Sequence, residues 1–102
     1  MQSILIVEDD ITFSTMLRTW LGKKGFQAET AGSVTAANRL LEKTAFALML
    51  SDLRLPDDDG ITLLTWKKEQ GIDAPLIIMT SYADIQNAVL AMKEGASDYV
   101  SK

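Results

Sequence analysis

Cysteine and histidine are both absent from this 102-residue sequence. That excludes disulfides, thiol nucleophiles, zinc-finger ligation and every histidine-based triad, so any metal must sit on oxygen ligands. Positive charge is scarce and dispersed. Ten Lys and Arg stand against 14 Asp and Glu, for a net charge of −4, and the bases gather no further than the pairs Lys23-Lys24 and Lys67-Lys68. Direct nucleic-acid binding, which needs a concentrated basic face, is not expected. No apolar run is long enough to cross a bilayer, and the start, Met1-Gln2-Ser3, lacks the basic and long apolar regions of a signal peptide. A cytoplasmic location without membrane attachment is the expectation. Internal repeats and low-complexity stretches are missing too. What remains is a chain 47% hydrophobic and 24% charged, which suits one soluble domain over residues 1–102. Folding at this length buries roughly two-thirds of the unfolded chain's surface.

Strand and helix patterns alternate along the chain. Residues 4–7, Ile-Leu-Ile-Val, are an unbroken β-branched run that reads as a strand buried on both faces. Residues 11–24 repeat apolar side chains at helical spacing, placing Phe13, Met16, Leu17, Trp20 and Leu21 inward, with Asp10 as N-cap and Gly25 as the stop. A half-polar strand over 27–31 precedes a helix that Ser33 caps and that carries Val34, Ala37, Leu40 and Leu41 inward to about residue 43. Residues 46–50 form the next strong strand, ending at Ser51-Asp52. An acidic loop around Pro56 leads to a third helix with Ile61, Leu64 and Trp66, broken at Gly71. Residues 76–79 are a third fully apolar strand, and a fourth helix over 83–94 turns Ile85, Ala88, Val89 and Met92 inward. A half-polar strand starts at Asp98.

This alternation implies right-handed β-α-β crossovers and an α/β fold: a doubly wound, five-stranded parallel sheet between two helical layers, flavodoxin-like. The continuously apolar strands one, three and four belong in the centre and the alternating strands two and five at the edges, which selects the order 2-1-3-4-5. Ligands bind such sheets beyond the carboxyl ends of the strands, where the winding reverses. Glu8, Asp9 and Asp52 fall there.

Seven of the 14 acids lie within residues 8–10 and 52–59, and the topology brings both stretches to one rim. Carboxylates within about 4–6 Å of one another repel unless a cation or proton intervenes. Asp57, Asp58 and Asp59 read as residues that solvate a turn. For Glu8, Asp9 and Asp52 a divalent cation with carboxylate, carbonyl and water ligands is one solution, and a helix-cap role is the other that spacing leaves open.

Glu8-Asp9, Asp52 with Pro56 and Gly60 four and eight residues on, Thr80-Ser81 after the fourth strand, and Tyr99 with Lys102 together resemble the receiver domain of bacterial two-component response regulators. The resemblance covers the whole chain in order. It implies a phosphoacceptor switch in which a partner histidine kinase phosphorylates Asp52, with Mg²⁺ required and Mn²⁺ a substitute. It further implies that Asp9, Asp52 and the backbone carbonyl of Arg54 hold the metal, with Glu8 acting mainly through water. Lys102 is then the phosphoryl-binding cation, and Thr80 and Tyr99 are the switch pair. Read alone, each of these last three has a plainer role: a solvated terminal lysine, a hydroxyl capping a turn, an aromatic packing on an edge strand.

Similarity around 52–56 and 80–96 extends to receivers of NtrC-like σ54-dependent activators, which implies an output domain, transcriptional in kind, on a longer natural chain. A homodimer is compatible with that family. The chain catalyses only its own phosphoryl transfer and is not otherwise expected to be an enzyme. Bulky Arg54 and Tyr82 beside the site suggest a long-lived phosphoryl group. The sequence stops at Lys102, where the family continues with proline and a fifth helix, so the expectation is a receiver cut short before that helix, with one face of strands one, three and five lacking cover.

Three other readings compete. A phosphatase with an Asp nucleophile needs a second acid two residues on, where Arg54 stands. A flavin or nucleotide carrier needs a phosphate-cradling loop after strand one, where three acids stand instead. A non-phosphorylated pseudo-receiver serving as a protein-docking module is the remaining alternative.

Overall fold

Strands and helices alternate from Ser3 to Ser101, and the first three helices each begin where an oxygen-bearing side chain holds an early N–H group. The computed structural model describes residues 2–81 and 85–102, Ile85 by its backbone alone. In order they are β1 (Ser3–Val7), α1 (Ile11–Lys23), β2 (Gln27–Ala31), α2 (Val34–Lys43), β3 (Leu48–Asp52), α3 (Gly60–Glu69), β4 (Leu76–Thr80), α4 (Ile85–Lys93) and β5 (Asp98–Ser101). All neighbouring strands run parallel, in the order β2-β1-β3-β4-β5. The doubly wound sheet expected from apolar continuity is the one formed.

Asp10 accepts from the Phe13 N–H at 3.1 Å, Ser33 from Ala36 at 3.1 Å and Asp59 from Thr62 at 2.8 Å, each satisfying a donor the helix cannot. Lys23, Lys43, Lys67, Lys68 and Lys93 sit in the last helical turns, where they complement the carbonyl ends. The fourth helix is described from Ile85, so its expected start at Ala83 and the inward Ile85 side chain lie outside the described residues.

The two faces of the sheet are built unequally. Leu5, Val7, Met49, Leu76 and Ile78 pack with Val34, Ala37, Leu63, Leu64, Ala88 and Ala91 in one core beneath α2, α3 and α4. Fully burying such aliphatic side chains contributes roughly 1.5–3 kcal/mol each, and this face holds most of them. The opposite face carries only α1 among the described helices, with Ile4, Ile6, Ala28 and Met79 packed on Leu21, Phe13 and Leu17. β1 is buried on both sides, contrary to the expectation that its face lacks cover. The opening lies instead over β3, β4 and β5, as an apolar groove of about 290 Å³ bordered by Phe13, Leu17, Leu50, Met79 and Val100.

Several inward assignments change for a common reason. Met16 and Trp20 are 62% and 55% exposed, because α1 meets the sheet along the narrow stripe of Phe13, Ser14, Leu17 and Leu21. On α4 the contact is made by Ala88 and Ala91, whose small side chains draw the helix close and leave Val89 and Met92 outside. Leu63, not predicted inward, is fully buried. β3 begins two residues later than expected and runs through Ser51 and Asp52, since Asp52 still pairs with Met79 of β4.

Gly60 opens α3 against the end of β3. A Cβ there would lie 2.8 Å from the Asp52 carbonyl oxygen and 3.3 Å from Leu53 Cα, so only glycine permits the approach.

Candidate functional site

Asp52 ends β3 and Glu8 follows β1, so the adjacent central strands deliver both carboxyl groups to one rim. Oxygen atoms of Glu8, Asp9 and Asp52 all lie within 4.8 Å of one another. The described caps of α1 and α3 are Asp10 and Asp59, and none of these three acids caps a helix among the described residues. The Asp52 carboxylate accepts from the Leu53 N–H at 2.7 Å through Oδ1 and from Lys102 Nζ at 2.7 Å through Oδ2. Lys102 Nζ also donates to Glu8 Oε1 at 2.5 Å. Its backbone N–H donates to the Thr80 carbonyl at 3.0 Å, which carries the β4–β5 ladder one residue past β5.

Burial dominates the electrostatics of Glu8, whose side chain is 1% exposed. It pushes the carboxyl above its ordinary value of 4.5; the Lys102 ammonium and the Asp10 N–H pull down, and the Asp52 charge pushes up again. Burial acts to lower the Lys102 ammonium, but its hydrogen bonds to Asp52 and Glu8 outweigh that and hold it above 10.5. The two directions agree physically, since two carboxylates, Glu8 and Asp52, share one ammonium. The set is all oxygen and negative overall, which suits a hard divalent cation such as Mg²⁺ or Mn²⁺. Asp9 is exposed and open to solvent.

The remaining predicted residues lie around this cluster. Thr80 is buried and its hydroxyl donates to the Ser81 carbonyl at 2.9 Å. Tyr99 is 39% exposed on β5. Arg54 follows Asp52 by two residues and forms an isolated antiparallel bridge with Asp59. Tyr82 lies outside the described residues.

Two participants escaped the sequence reading. Phe13 places its ring 5.1 Å from Lys102 Nζ, beneath the cation, although its spacing marked it only as an inward helix residue. Asp57 does not merely solvate a turn. Its Oδ1 accepts from the Val34 N–H at 2.9 Å, and its Oδ2 accepts from the Thr35 N–H at 2.9 Å and the Thr35 hydroxyl at 2.7 Å. The Thr35 donors, then Val34, hold its carboxyl down at about 2. Asp58 accepts from the Asp59 N–H and the Thr62 hydroxyl, both at 2.9 Å, so all three loop acids are engaged.

Fold and site define a doubly wound α/β domain with a carboxylate–lysine centre at its switch point. The response regulator receiver domain family matches residues 4–102, and the chain belongs to that family. It is 39% identical over 101 residues to the photosynthetic apparatus regulatory protein RegA of Rhodobacter capsulatus, covering 99% of this chain and 55% of RegA. It is 33% identical over 101 residues to the response regulator protein PilR of Pseudomonas aeruginosa, covering 99% of this chain and 23% of PilR. Full-length FixJ from B. japonicum superposes with a TM-score of 0.93 at 35% identity, over 99% of this chain and 50% of FixJ. The chain thus spans about half the length of RegA and less of PilR. Receiver domains are regulatory switches that accept phosphoryl groups, bind Mg²⁺ through an acidic pocket, and pair with histidine kinases and output domains. Among the described residues no helix is long and apolar enough to cross a membrane.

Proposed function

We propose that Asp52 is the phosphoacceptor of this receiver and that a histidine kinase is its donor. The observation that carries the reading is the convergence of Glu8, Asp9 and Asp52 within 4.8 Å, with Lys102 bonded to Asp52. The Leu53 N–H fixes one Asp52 oxygen, which orients the other, Oδ2, as nucleophile. Attack forms the P–O bond of an aspartyl phosphate as the P–N bond of the donor phosphohistidine breaks, the imidazole nitrogen keeping the electron pair and taking a proton. Lys102 transfers its hydrogen bond from Asp52 to an incoming phosphoryl oxygen. Asp9, Asp52 and the Arg54 carbonyl would hold the Mg²⁺ or Mn²⁺, with Glu8 acting through water, and the ion when bound supplies the positive charge that lets two anions approach.

In this reading Thr80 turns toward the phosphoryl group and Tyr99 moves inward, biasing the surface of α4 and β5 between two states. The partner so controlled is an output domain on a longer natural chain, and its transcriptional character is supported by the similarity to PilR. The whole acts in the cytoplasm, with no direct nucleic-acid contact by this domain and no enzymatic role beyond its own phosphoryl transfer. A homodimer is one form in which the α4–β5 surface can be read.

Intact mass after incubation with Mg²⁺ and acetyl phosphate tests the assignment. The expected gain is about 80 Da, dependent on both Mg²⁺ and Asp52. A gain that persists in Asp52→Asn overturns the assignment, and a gain in neither this chain nor the longer natural chain favours a docking module instead.

A further inference from the structure

The loop from Leu53 to Asp59 is tied down far from the cluster it serves. Its tip residue, Asp57, reaches 22 and 23 residues back in sequence to take three hydrogen bonds from Thr35 and Val34 at the start of α2. That helix has its own cap, because Ser33 already accepts from the Ala36 N–H. Asp57 therefore does something beyond capping: it fastens one loop of the rim to the other. The Glu8 N–H donates to the Ala31 carbonyl at 2.9 Å, and α2 starts three residues after Ala31. On the opposite side the Leu55 N–H donates to the Asp58 carbonyl at 3.0 Å, the Gly60 N–H to the Leu53 carbonyl at 2.8 Å, and Arg54 bridges Asp59. A continuous path of contacts and short chain segments thus runs from the Glu8 backbone through Ala31, the start of α2 and Asp57 to the backbone of Arg54.

We infer that Asp57 is a positioning residue for the metal site: by clasping its loop to α2 it sets the spacing between the Glu8–Asp9 side of the cluster and the Arg54 carbonyl. The inference rests on the metal-binding reading of Glu8, Asp9, Asp52 and Arg54. An ion of fixed ligand distance is sensitive to that spacing, since supporting contacts that orient ligands contribute to affinity without touching the ion. Asp57 touches neither substrate nor ion, so its effect is on affinity.

Mn²⁺ binding followed by electron paramagnetic resonance of the free ion tests this, with thermal melts alongside. Asp57→Ala is expected to weaken Mn²⁺ binding about tenfold. Ser33→Ala, which removes the other cap of α2, is expected to lower the melting temperature while leaving Mn²⁺ affinity unchanged. Asp57→Asn keeps one acceptor in the same shape, so it is expected to bind with intermediate affinity, and it carries the decision if Asp57→Ala fails to fold. Wild-type affinity in the Asp57 variants, or an equal loss in Ser33→Ala, overturns the positioning role and leaves the metal site standing. A wild-type chain that binds no Mn²⁺, or an Asp52→Asn chain that binds it as tightly, overturns the metal-site reading and the positioning role with it.

Discussion

Two groups of acids share one rim of the sheet and are treated oppositely by the fold. Asp57, Asp58 and Asp59 each accept hydrogen bonds from backbone N–H groups or threonine hydroxyls, and Asp57 is held well below the ordinary carboxylate value of 3.8. Glu8, Asp9 and Asp52 converge on one another, and burial holds Glu8 above its ordinary value. Asp57 therefore stabilises the fold when ionised, whereas ionised Glu8 counts against it. An acidic cluster in sequence says nothing about function until the donors are counted. Asp57 spends both oxygens on donors of a neighbouring helix, whereas Glu8, Asp9 and Asp52, though Asp52 takes the Leu53 N–H, converge on one another and leave charge for a ligand.

Three experiments sharpen that contrast, beginning with the largest effect. Lys102→Ala leaves the buried Glu8 carboxylate beside Asp52 without its cation and should cost about 1–2 kcal/mol near neutral pH, by urea unfolding. The loss should shrink as pH falls, because a protonated Glu8 needs no cation; a pH-independent loss would mean that Lys102 contributes through packing on Phe13 instead. Next, the two groups should respond differently to the loss of a carboxylate. Asp59→Ala removes the α3 cap and should cost about 1 kcal/mol. Asp52→Asn relieves repulsion and should leave stability unchanged or raise it by up to about 1 kcal/mol. A loss in both would erase the distinction. The smallest effect is in the acid limb. With a folded value of about 2 against an ordinary 3.8, Asp57 contributes stability that is present above about pH 4 and lost as pH falls toward 2. Thermal melts over that window should show a shallower decline in Asp57→Ala than in the wild type.

Much of this was legible in the residues. The strand order followed from which segments are continuously apolar, and Asp52 and Glu8 from their places after central strands. Helix faces were read less well, because periodicity reports which residues share a stripe and not how wide a stripe the sheet covers. Met16, Trp20, Val89 and Met92 belong to the pattern, yet Ser14, Ala88 and Ala91 make the contacts. The Asp57 clasp had no local signal. Its partners lie across a crossover, and an Asp after Pro56 in an acidic loop looks the same whether it meets water or a helix start. Phe13 beneath Lys102 was equally hidden, since the two are brought together only by the closing of the sheet.

Lys102 is held at the rim by the last rung of an edge strand, its N–H on the Thr80 carbonyl, in a register where Thr80 pairs with Ser101. Side chains alternate across a strand, so a slip of one residue would place a serine hydroxyl where the ammonium stands and turn the lysine to the other side. The only cation bonded to Glu8 and Asp52 among the described residues is thus available only when the outermost strand has zipped in the correct frame. Charge neutralisation at the rim is thereby tied to the register of the sheet's edge.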